Sequence, residues 1–263
     1  MNIDQIFIAV TRNVFPQTAF EFAEKTARAF EKEICLMAID ENPEIADESA
    51  KFQMQTDIKV NFIEGNHAGD FTETLEKLEA SMVIFELENN ASLMARITNL
   101  RQPGIAQLLQ LSRDLRIPYI FVKKGQNIRF HRVIVPVSFL IEDREKGRFS
   151  AQLGRFMHSE LLLMPARDYG SKARANTHVI TTLFDKFNLS YREISARKDS
   201  FSVQSEALSA AGQENAGLVI ITASRDYSLD DMIFGPEEQH IIRRAGIPVM
   251  VVNPRADLYV LCG

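Results

Sequence analysis

The sequence predicts two tandem α/β domains, each built on a doubly wound parallel sheet. Two observations predict this class: short apolar runs alternate with longer amphipathic stretches, and the pattern repeats in the second half of the chain. The runs are continuous rather than alternating, as expected of strands that are buried on both faces of a parallel sheet. Short connections between such strands and helices indicate right-handed crossovers.

An internal repeat relates the two halves. Residues 6–11 (IFIAVT) match 133–138 (VIVPVS), and residues 33–38 (EICLMA) match 160–165 (ELLLMP), both at a shift of 127 residues. Two later strands match at shifts of 136 and 130 residues, as loop insertions in a duplicated unit would produce. The repeat predicts a first domain over 1–125, a second over 130–254 and a C-terminal tail over 255–263.

Each element follows from its local apolar pattern. The stretch 104–115, for example, carries Ile105, Leu108 and Leu109 along one helical face. The polar, acidic stretch 41–56 is assigned no element. In the first domain we predict strands at 5–11, 33–39, 58–64, 81–87 and 117–123, with helices at 15–31, 69–80 and 104–115. In the second domain we predict strands at 131–138, 160–165, 190–196, 216–222 and 247–253, with helices at 143–158, 172–187, 201–214 and 236–245.

Composition excludes several function classes. Thirty Lys and Arg against 35 Asp and Glu leave a net charge of −5, and the largest basic clusters are pairs such as Lys123-Lys124. This balance predicts neither nucleic-acid binding nor anionic-membrane binding. No apolar run approaches the roughly 20 residues of a membrane span, and the N-terminus has no signal-peptide pattern. The cysteines, Cys35 and Cys262, are far apart and form no disulfide framework, so we expect a cytoplasmic protein without membrane insertion.

Motifs for catalysis and metal binding are absent from the sequence. The twelve glycines include no Gly-x-Ser-x-Gly, no P-loop lysine motif and no Gly-x-Gly-x-x-Gly. Glu237 and His240 have the spacing of a di-iron ligand pair, but such a site needs that motif twice. Asp230 and Asp231 are adjacent and point in different directions, without a third acidic ligand at loop spacing. We therefore predict no catalytic residue and no metal site.

The chain resembles the universal stress protein family in its tandem form. The resemblance is best in the opening strand of the second copy, 132–137 (RVIVPV), and in its closing segment, 243–252 (RRAGIPVMVV). The closing segment is similar to the family pattern Leu-Arg-x-Ala-x-x-Pro-Val-Leu-Val-Val, and the ordered set of matches covers nearly the whole chain. The resemblance implies a Rossmann-like fold of the adenine nucleotide alpha hydrolase-like type. It also implies that the two halves form an internal pseudo-dimer, because such domains usually pair through their last strands.

The resemblance also implies a nucleotide site in the second domain. Some family members bind ATP through Gly-x-x-Gly, nine residues and Gly-Ser or Gly-Thr after the fourth strand, where glycines and helix N–H groups receive the phosphates. In this chain Thr222 and Arg225 replace the first two glycines, Gly235 is retained, and Pro236 replaces the hydroxyl residue. The family's usual Asp after the first strand is Ser138. The implied cofactor-binding residues are therefore Ser138, Thr222, Arg225 and Gly235, and most phosphate donors are missing.

The corresponding positions of the first domain depart further from the family pattern. Thr11 follows the first strand, the fourth strand runs into Glu86, and Pro103-Gly104 stands where the phosphate loop would close. A carboxylate at Glu86 would repel a polyphosphate.

These observations favour a non-catalytic tandem universal stress protein, a stress-response binding or signalling module with a degenerate nucleotide site and no cofactor. The alternative is an AMP- or ATP-type sensor, or a slow ATPase, that uses the second domain and holds a phosphate with Arg225. An adenine nucleotide with few phosphates would lose less from the missing donors. The partner is either another protein or a second copy of the chain.

Overall fold

The computed structural model describes residues 5–11, 14–39, 53, 56–63, 71–88, 103–224 and 236–254. The chain divides into two compact units, Met1–Gln126 and Asn127–Gly263. Each unit contains a five-stranded sheet in its described residues, and every strand pair recorded within a unit is parallel. The predicted α/β class with parallel sheets is confirmed.

The first unit has the strand order β3-β2-β1-β4-β5. Its described elements are β1 (Gln5–Val10), α1 (Gln17–Phe30), β2 (Glu33–Ala38), β3 (Val60–Ile63), α2 (Phe71–Lys77), β4 (Ala80–Leu87), α3 (Ile105–Leu111) and β5 (Tyr119–Lys123).

The second unit has the equivalent order, β10-β9-β6-β7-β8. Its described elements are β6 (Arg132–Val137), a 3₁₀ turn (Ile141–Arg144), α4 (Glu145–Phe156), β7 (Glu160–Pro165), α5 (Lys172–Lys186), β8 (Tyr191–Glu193), α6 (Val203–Gln213), β9 (Leu218–Thr222), α7 (Glu237–Arg244) and β10 (Val249–Val252).

Central strands are buried along almost their whole length. In β1 and β6 the first residue is partly exposed and the following five are buried, which is why these strands are continuous apolar runs in the sequence. Helix α1 buries Ala19, Phe22, Ala23 and Thr26 at helical spacing and leaves its charged residues partly or fully exposed. Packing of such helical faces against the sheet forms the core of each unit.

Several predicted elements differ from the structure at their ends. The helix predicted from residue 143 is preceded by the 3₁₀ turn, which places Asp143 outside α4. The strand predicted over 190–196 is shortened to Tyr191–Glu193, because it lies at the edge of the described sheet and pairs with β7 alone there. The helix predicted over 104–115 ends at Leu111, where Ser112 N–H donates to the carbonyls of Leu108 and Leu109.

The two units share strand register as well as strand order. Gln5 of β1 pairs with Glu33 of β2, and the equivalent Arg132 of β6 pairs with Glu160 of β7. In both units the glutamate at the start of the second strand is bonded to a cation on the third strand or next to it. Glu33 accepts from Lys59 at 3.0 Å, and Glu160 accepts from Arg192 at 3.1 Å. The internal repeat in the sequence therefore has a counterpart in three dimensions. The predicted pseudo-dimer stays a prediction.

Within the ranges given above, no helix is long and apolar enough to cross a bilayer.

The entry to β9 gives a test of the second unit's packing. A Cβ atom on Gly217 would lie 2.0 Å from the carbonyl oxygen of Arg129 and 2.6 Å from its carbon. Because this neighbour is backbone, we expect Gly217→Ala to lower the free energy of unfolding by about 2 kcal/mol or more, measured by chemical denaturation.

Gly212 in α6 is the matched control, because a Cβ there meets nothing within 4 Å. Gly212→Ala is expected to be neutral or to stabilise by up to about 1 kcal/mol, since alanine is the better helix former. Equal losses for both variants would contradict the close approach at Gly217.

Candidate functional site

The carboxyl ends of β6 and β9 mark the switch point of the second unit's sheet. From β6 the chain proceeds outward through β7 and β8, then returns to the other side of β6 with β9 and β10. Ligands of open parallel α/β sheets bind in the crevice beyond the strand ends at such a point. Ser138 follows β6 directly and Thr222 ends β9, and both are buried. Two of the four predicted site residues therefore lie at this crevice.

Asp143 connects these two strand ends. Its Oδ2 accepts a hydrogen bond from the Ser138 backbone N–H at 2.5 Å, and its Oδ1 accepts one from the Thr222 hydroxyl at 2.7 Å. The Asp143 residue is only 1% exposed. The 3₁₀ turn after β6 folds back, so that the Asp143 carboxylate lies next to the end of β6. Asp143 thus occupies the position between Ser138 and Thr222.

Lys146 lies at the same crevice, in the first turn of α4. Its side chain is fully buried and its Nζ is 2.9 Å from Asp143 Oδ1. Burial lowers the pKa of Lys146, and the neighbouring Asp143 carboxylate opposes that shift. Among the residues that the structure describes, no acceptor is aligned for a hydrogen bond to this ammonium group. The crevice of the second unit therefore contains an internal ion pair.

Helix α7 begins near the end of β9 with two carboxylates, Glu237 and Glu238. Pro236, just before the helix, has no N–H to donate. Glu238 is 1% exposed and accepts a hydrogen bond from the Ser224 hydroxyl at 2.8 Å, while Glu237 accepts one from the Ser205 hydroxyl at 2.9 Å. Burial raises the pKa of Glu238. Negative side chains complement the positive end of this helix, where the family pattern places phosphates.

The remaining predicted residues of the phosphate site, Arg225 and Gly235, lie outside the described residues, as do Asp230 and Asp231. The structure thus brings Ser138 and Thr222 together. Sequence reasoning missed Asp143 and Lys146. The available signal was a pair of opposite charges three residues apart shortly after the first strand of the repeat, where a helical turn places them side by side.

The first unit has a carboxylate at its own switch point, between β1 and β4. Glu86, near the end of β4, is 8% exposed. Its Oε2 accepts hydrogen bonds from the backbone N–H groups of Thr18 and Ala19 at 2.7 and 3.0 Å, in the first turn of α1. Glu86 therefore provides the negative charge that the free N–H groups of this helix terminus favour.

The space left beside Glu86 is small. A cavity of about 10 Å³ lies there, room for a single water molecule and no more. It is lined by Ala9, Val10, Thr11, Val14, Pro16 and Glu86. Thr11 and Glu86, which correspond in sequence to nucleotide-site positions of the family pattern, thus line the same cavity.

Nucleophilic and metal chemistry find little support in the described residues. Cys35 is completely buried in β2, and burial raises the pKa of its thiol to about 12, so the reactive thiolate does not form at neutral pH. No group of three or more His, Cys, Asp or Glu side chains in the described ranges converges on a point where a metal ion could bind.

Comparison with known proteins gives a structural relationship without a sequence relationship. No protein-family model matches the chain, and a search of curated proteins found no relative. Among solved structures, the chain is similar to a universal stress protein from Archaeoglobus fulgidus DSM 4304. The identity is 15%, the TM-score is 0.67, and 97% of each chain is covered.

Two structures from Pseudomonas aeruginosa are similar as well. A functionally unknown protein from strain PAO1 has 12% identity and a TM-score of 0.64, with 96% of this chain and 93% of that chain covered. A candidate universal stress protein from strain UCBPP-PA14 has 11% identity and a TM-score of 0.63, with 96% and 94% covered. At these identities the likeness concerns the fold, and it confirms that the chain has the Rossmann-like fold of universal stress proteins.

The buried ion pair predicts unequal effects of removing its two partners. Asp143→Asn leaves the Lys146 ammonium buried without its counter-charge, and we expect a loss of about 3 kcal/mol or more in the free energy of unfolding. Lys146→Met should cost less, because Asp143 keeps its hydrogen bonds from Ser138 and Thr222. The double variant should lose less than the sum of the two single losses, as a double-mutant cycle would show.

Lys25→Met is the control for this cycle. Lys25 pairs with Glu21 on α1, where both side chains are 43% exposed. Its loss should cost less than about 1 kcal/mol, as is usual for exposed pairs. If the losses in the Asp143 and Lys146 variants were simply additive, the two groups would not be coupled.

Lys146 also predicts a pH dependence of stability. Because burial lowers its pKa, the folded chain loses this proton at a lower pH than the unfolded chain, whose lysine has the ordinary value of 10.5. Between the two pKa values the unfolded state binds more protons, so the stability contributed by Lys146 rises with pH. Calorimetry should show the Tm of the wild type rising relative to Lys146→Met as the pH increases towards 10.5. A relative fall would contradict the lowered pKa.

Proposed function

We propose that the chain is a tandem universal stress protein that acts as a non-catalytic binding or signalling module. Three features support the assignment: the fold similarity over 97% of the chain, the same strand order in both units, and the closing segment 243–252. The degenerate nucleotide site is a further part of the proposal, and it is argued from the two crevices.

One observation carries that part: a buried carboxylate of the chain itself lies at the switch point of each unit. Glu86 accepts from the N-terminus of α1, and Asp143 accepts from both strand ends in the second unit. A nucleotide phosphate at either position would have to displace these bonds. It would also meet a like charge, at a cost of about 1–4 kcal/mol for each pair of unit charges at 4 Å.

The start of α7 supports the same conclusion for the second unit. The site of ATP-binding family members needs N–H donors at this helix terminus, and Pro236 removes one of them. Glu237 and Glu238 add two carboxylates to the first turn. A polyphosphate would therefore meet fewer donors and more negative charge than the family pattern provides.

The nucleotide sensor, or slow ATPase, is the second candidate function. It is favoured by the meeting of Ser138 and Thr222 at one crevice, above the buried ammonium group of Lys146. A ligand with a single phosphate would make the smallest demand on the missing donors. In this function Arg225 would hold the phosphate.

Native mass spectrometry of the freshly purified protein, followed by calorimetric titration with ATP, AMP and cyclic nucleotides, separates the two functions. The degenerate site predicts no co-purifying nucleotide and no dissociation constant below about 100 μM, which corresponds to about −5.5 kcal/mol. A bound nucleotide, or tighter binding that Arg225→Ala abolishes, would replace the proposal with the sensor function.

Removal of the internal carboxylate should expose an anion site in the first unit. Glu86→Ala frees the N–H groups of Thr18 and Ala19, so we expect a lower Tm that millimolar inorganic phosphate partly restores in a thermal-shift assay. The phosphate-dependent shift should be absent from the wild type.

Glu88→Ala is the matched control. It removes a carboxylate two residues further along, which pairs with Lys124 at 3.4 Å. If phosphate raised the Tm of Glu88→Ala as much as that of Glu86→Ala, the effect would be non-specific, and Glu86 would not be occupying an anion site.

A further inference from the structure

Hydrogen bonds connect the three loops that follow β6, β7 and β8, so these loops form one continuous surface. The Arg167 backbone N–H donates to the Lys198 carbonyl at 2.8 Å. The Asp168 carboxylate accepts hydrogen bonds from the backbone N–H of Ser200 at 3.0 Å and from its hydroxyl at 2.5 Å. The Ser200 hydroxyl oxygen also accepts from the Phe139 N–H at 2.8 Å. Side chains on these loops therefore project from neighbouring positions.

Aromatic rings on this surface are exposed to solvent. Phe201 is 77% exposed and Tyr169 is completely exposed. Phe139 supports Phe201 in an edge-to-face contact, with ring centroids 5.4 Å apart. Exposed rings of this size on loops bury little area within the protein, so their faces are available to a planar ligand.

The same loops carry unpaired cations. Arg167, Arg197 and Lys198 are exposed, and so are Lys172 and Arg174 in the first turn of α5. In the described part of the chain none of these five cations forms an ion pair, since the nearby carboxylates bond elsewhere. Asp168 is bonded to Ser200, and Glu206 accepts from the backbone N–H groups of Arg197 and Lys198. Five cations against the three carboxylates of Asp168, Asp199 and Glu206 leave this surface positively charged in a chain whose net charge is −5.

The repeat shows that this charge is specific to the second copy. At the shift of 127 residues that relates the first two strands, segment 167–174 (RDYGSKAR) corresponds to segment 40–47 (DENPEIAD). One segment carries three cations and one acid, whereas the other carries four acids and no cation. The two copies thus carry sequence segments of opposite charge after the equivalent strand.

We propose that these rings and cations form a binding surface for single-stranded nucleic acid. The rings are Phe139, Tyr169 and Phe201, and the cations are Arg167, Lys172, Arg174, Arg197 and Lys198. Cations neutralise phosphates and release counterions, while exposed rings stack on bases, whose faces a single strand leaves accessible. An acidic peptide would use the cations without needing the rings. The inference goes beyond the proposed function and does not depend on it.

The net charge of the chain predicts no nucleic-acid binding, and the proposal departs from that expectation for a physical reason. At physiological ionic strength charges are screened beyond about 8 Å, so a strand on this surface responds to the local cations rather than to the whole-chain total. The net negative charge comes from residues 1–126, which have 13 cations and 19 acids, whereas residues 127–263 have 17 cations and 16 acids.

Fluorescence anisotropy with labelled oligonucleotides of about ten nucleotides, as RNA and as DNA, tests the proposal on the full chain. Micromolar binding is expected at low salt, with log K falling by about 0.7 per log unit of salt for each phosphate contact. Arg197→Gln/Lys198→Gln should reduce that slope by about 1.4, because two contacts are lost. Tyr169→Ala and Phe201→Ala should each weaken binding by roughly fivefold or more while leaving the slope unchanged.

Lys186→Gln/Phe187→Ala is the matched control. It removes one exposed cation and one exposed ring of the same unit at the opposite end of α5, about 20 Å away along the helix. Its affinity should equal that of the wild type, and circular dichroism should show all variants folded, because every replaced side chain is exposed.

Several results would overturn the proposal. They are a wild-type dissociation constant above about 100 μM at low salt, an equal loss of affinity in the control variant, or equal affinity for a duplex and for the single strand. Equal binding of polyglutamate would indicate an acidic protein partner instead, and binding only to phosphatidylserine vesicles would indicate a membrane surface. Nucleotide titration has a separate readout, so failure here leaves the proposed function standing.

Discussion

The Asp143 carboxylate determines the character of the second unit's crevice. Two parallel strands end side by side there, and the Ser138 N–H and the Thr222 hydroxyl need an acceptor once they are buried. Asp143 supplies one oxygen to each of them, and Lys146 provides the counter-charge that a buried carboxylate requires. Because all four groups belong to one network, a change at any of them alters the hydrogen bonding or the charge balance of the crevice.

The first unit meets a similar constraint with different residues. Its helix α1 begins beside β4, and two backbone N–H groups at the helix terminus are satisfied by Glu86. In one unit the carboxylate comes from the fourth strand, and in the other it comes from the turn after the first strand. In both arrangements a carboxylate of the chain itself accepts hydrogen bonds at the crevice, which is consistent with the proposed partner-binding or signalling role. The proposed function would then depend on surfaces away from the crevice.

The loops after β7 are an example of such a surface, because the two copies differ there in charge while their strands remain alike. Strand positions are constrained by burial on both faces, so a substitution in them costs core packing. Loop residues such as Arg167 and Tyr169 are exposed and can change with little effect on stability. Divergence after duplication is therefore expected to concentrate in loops, and there it can create a new binding surface without changing the fold.

The sequence by itself determined the repeat, the α/β class, the approximate positions of the strands and the departure of Thr222 and Pro236 from the family's phosphate-site pattern. These features depend on local patterns: apolar runs, helical periodicity and residue types at fixed spacing. Only the tertiary structure decided which carboxylates fill the crevices, because Glu86 contacts Thr18 across 68 residues and Thr222 contacts Asp143 across 79. It also decided the juxtaposition of Arg167 with Lys198. Such contacts depend on strand order, and a one-dimensional pattern does not encode which strand ends meet.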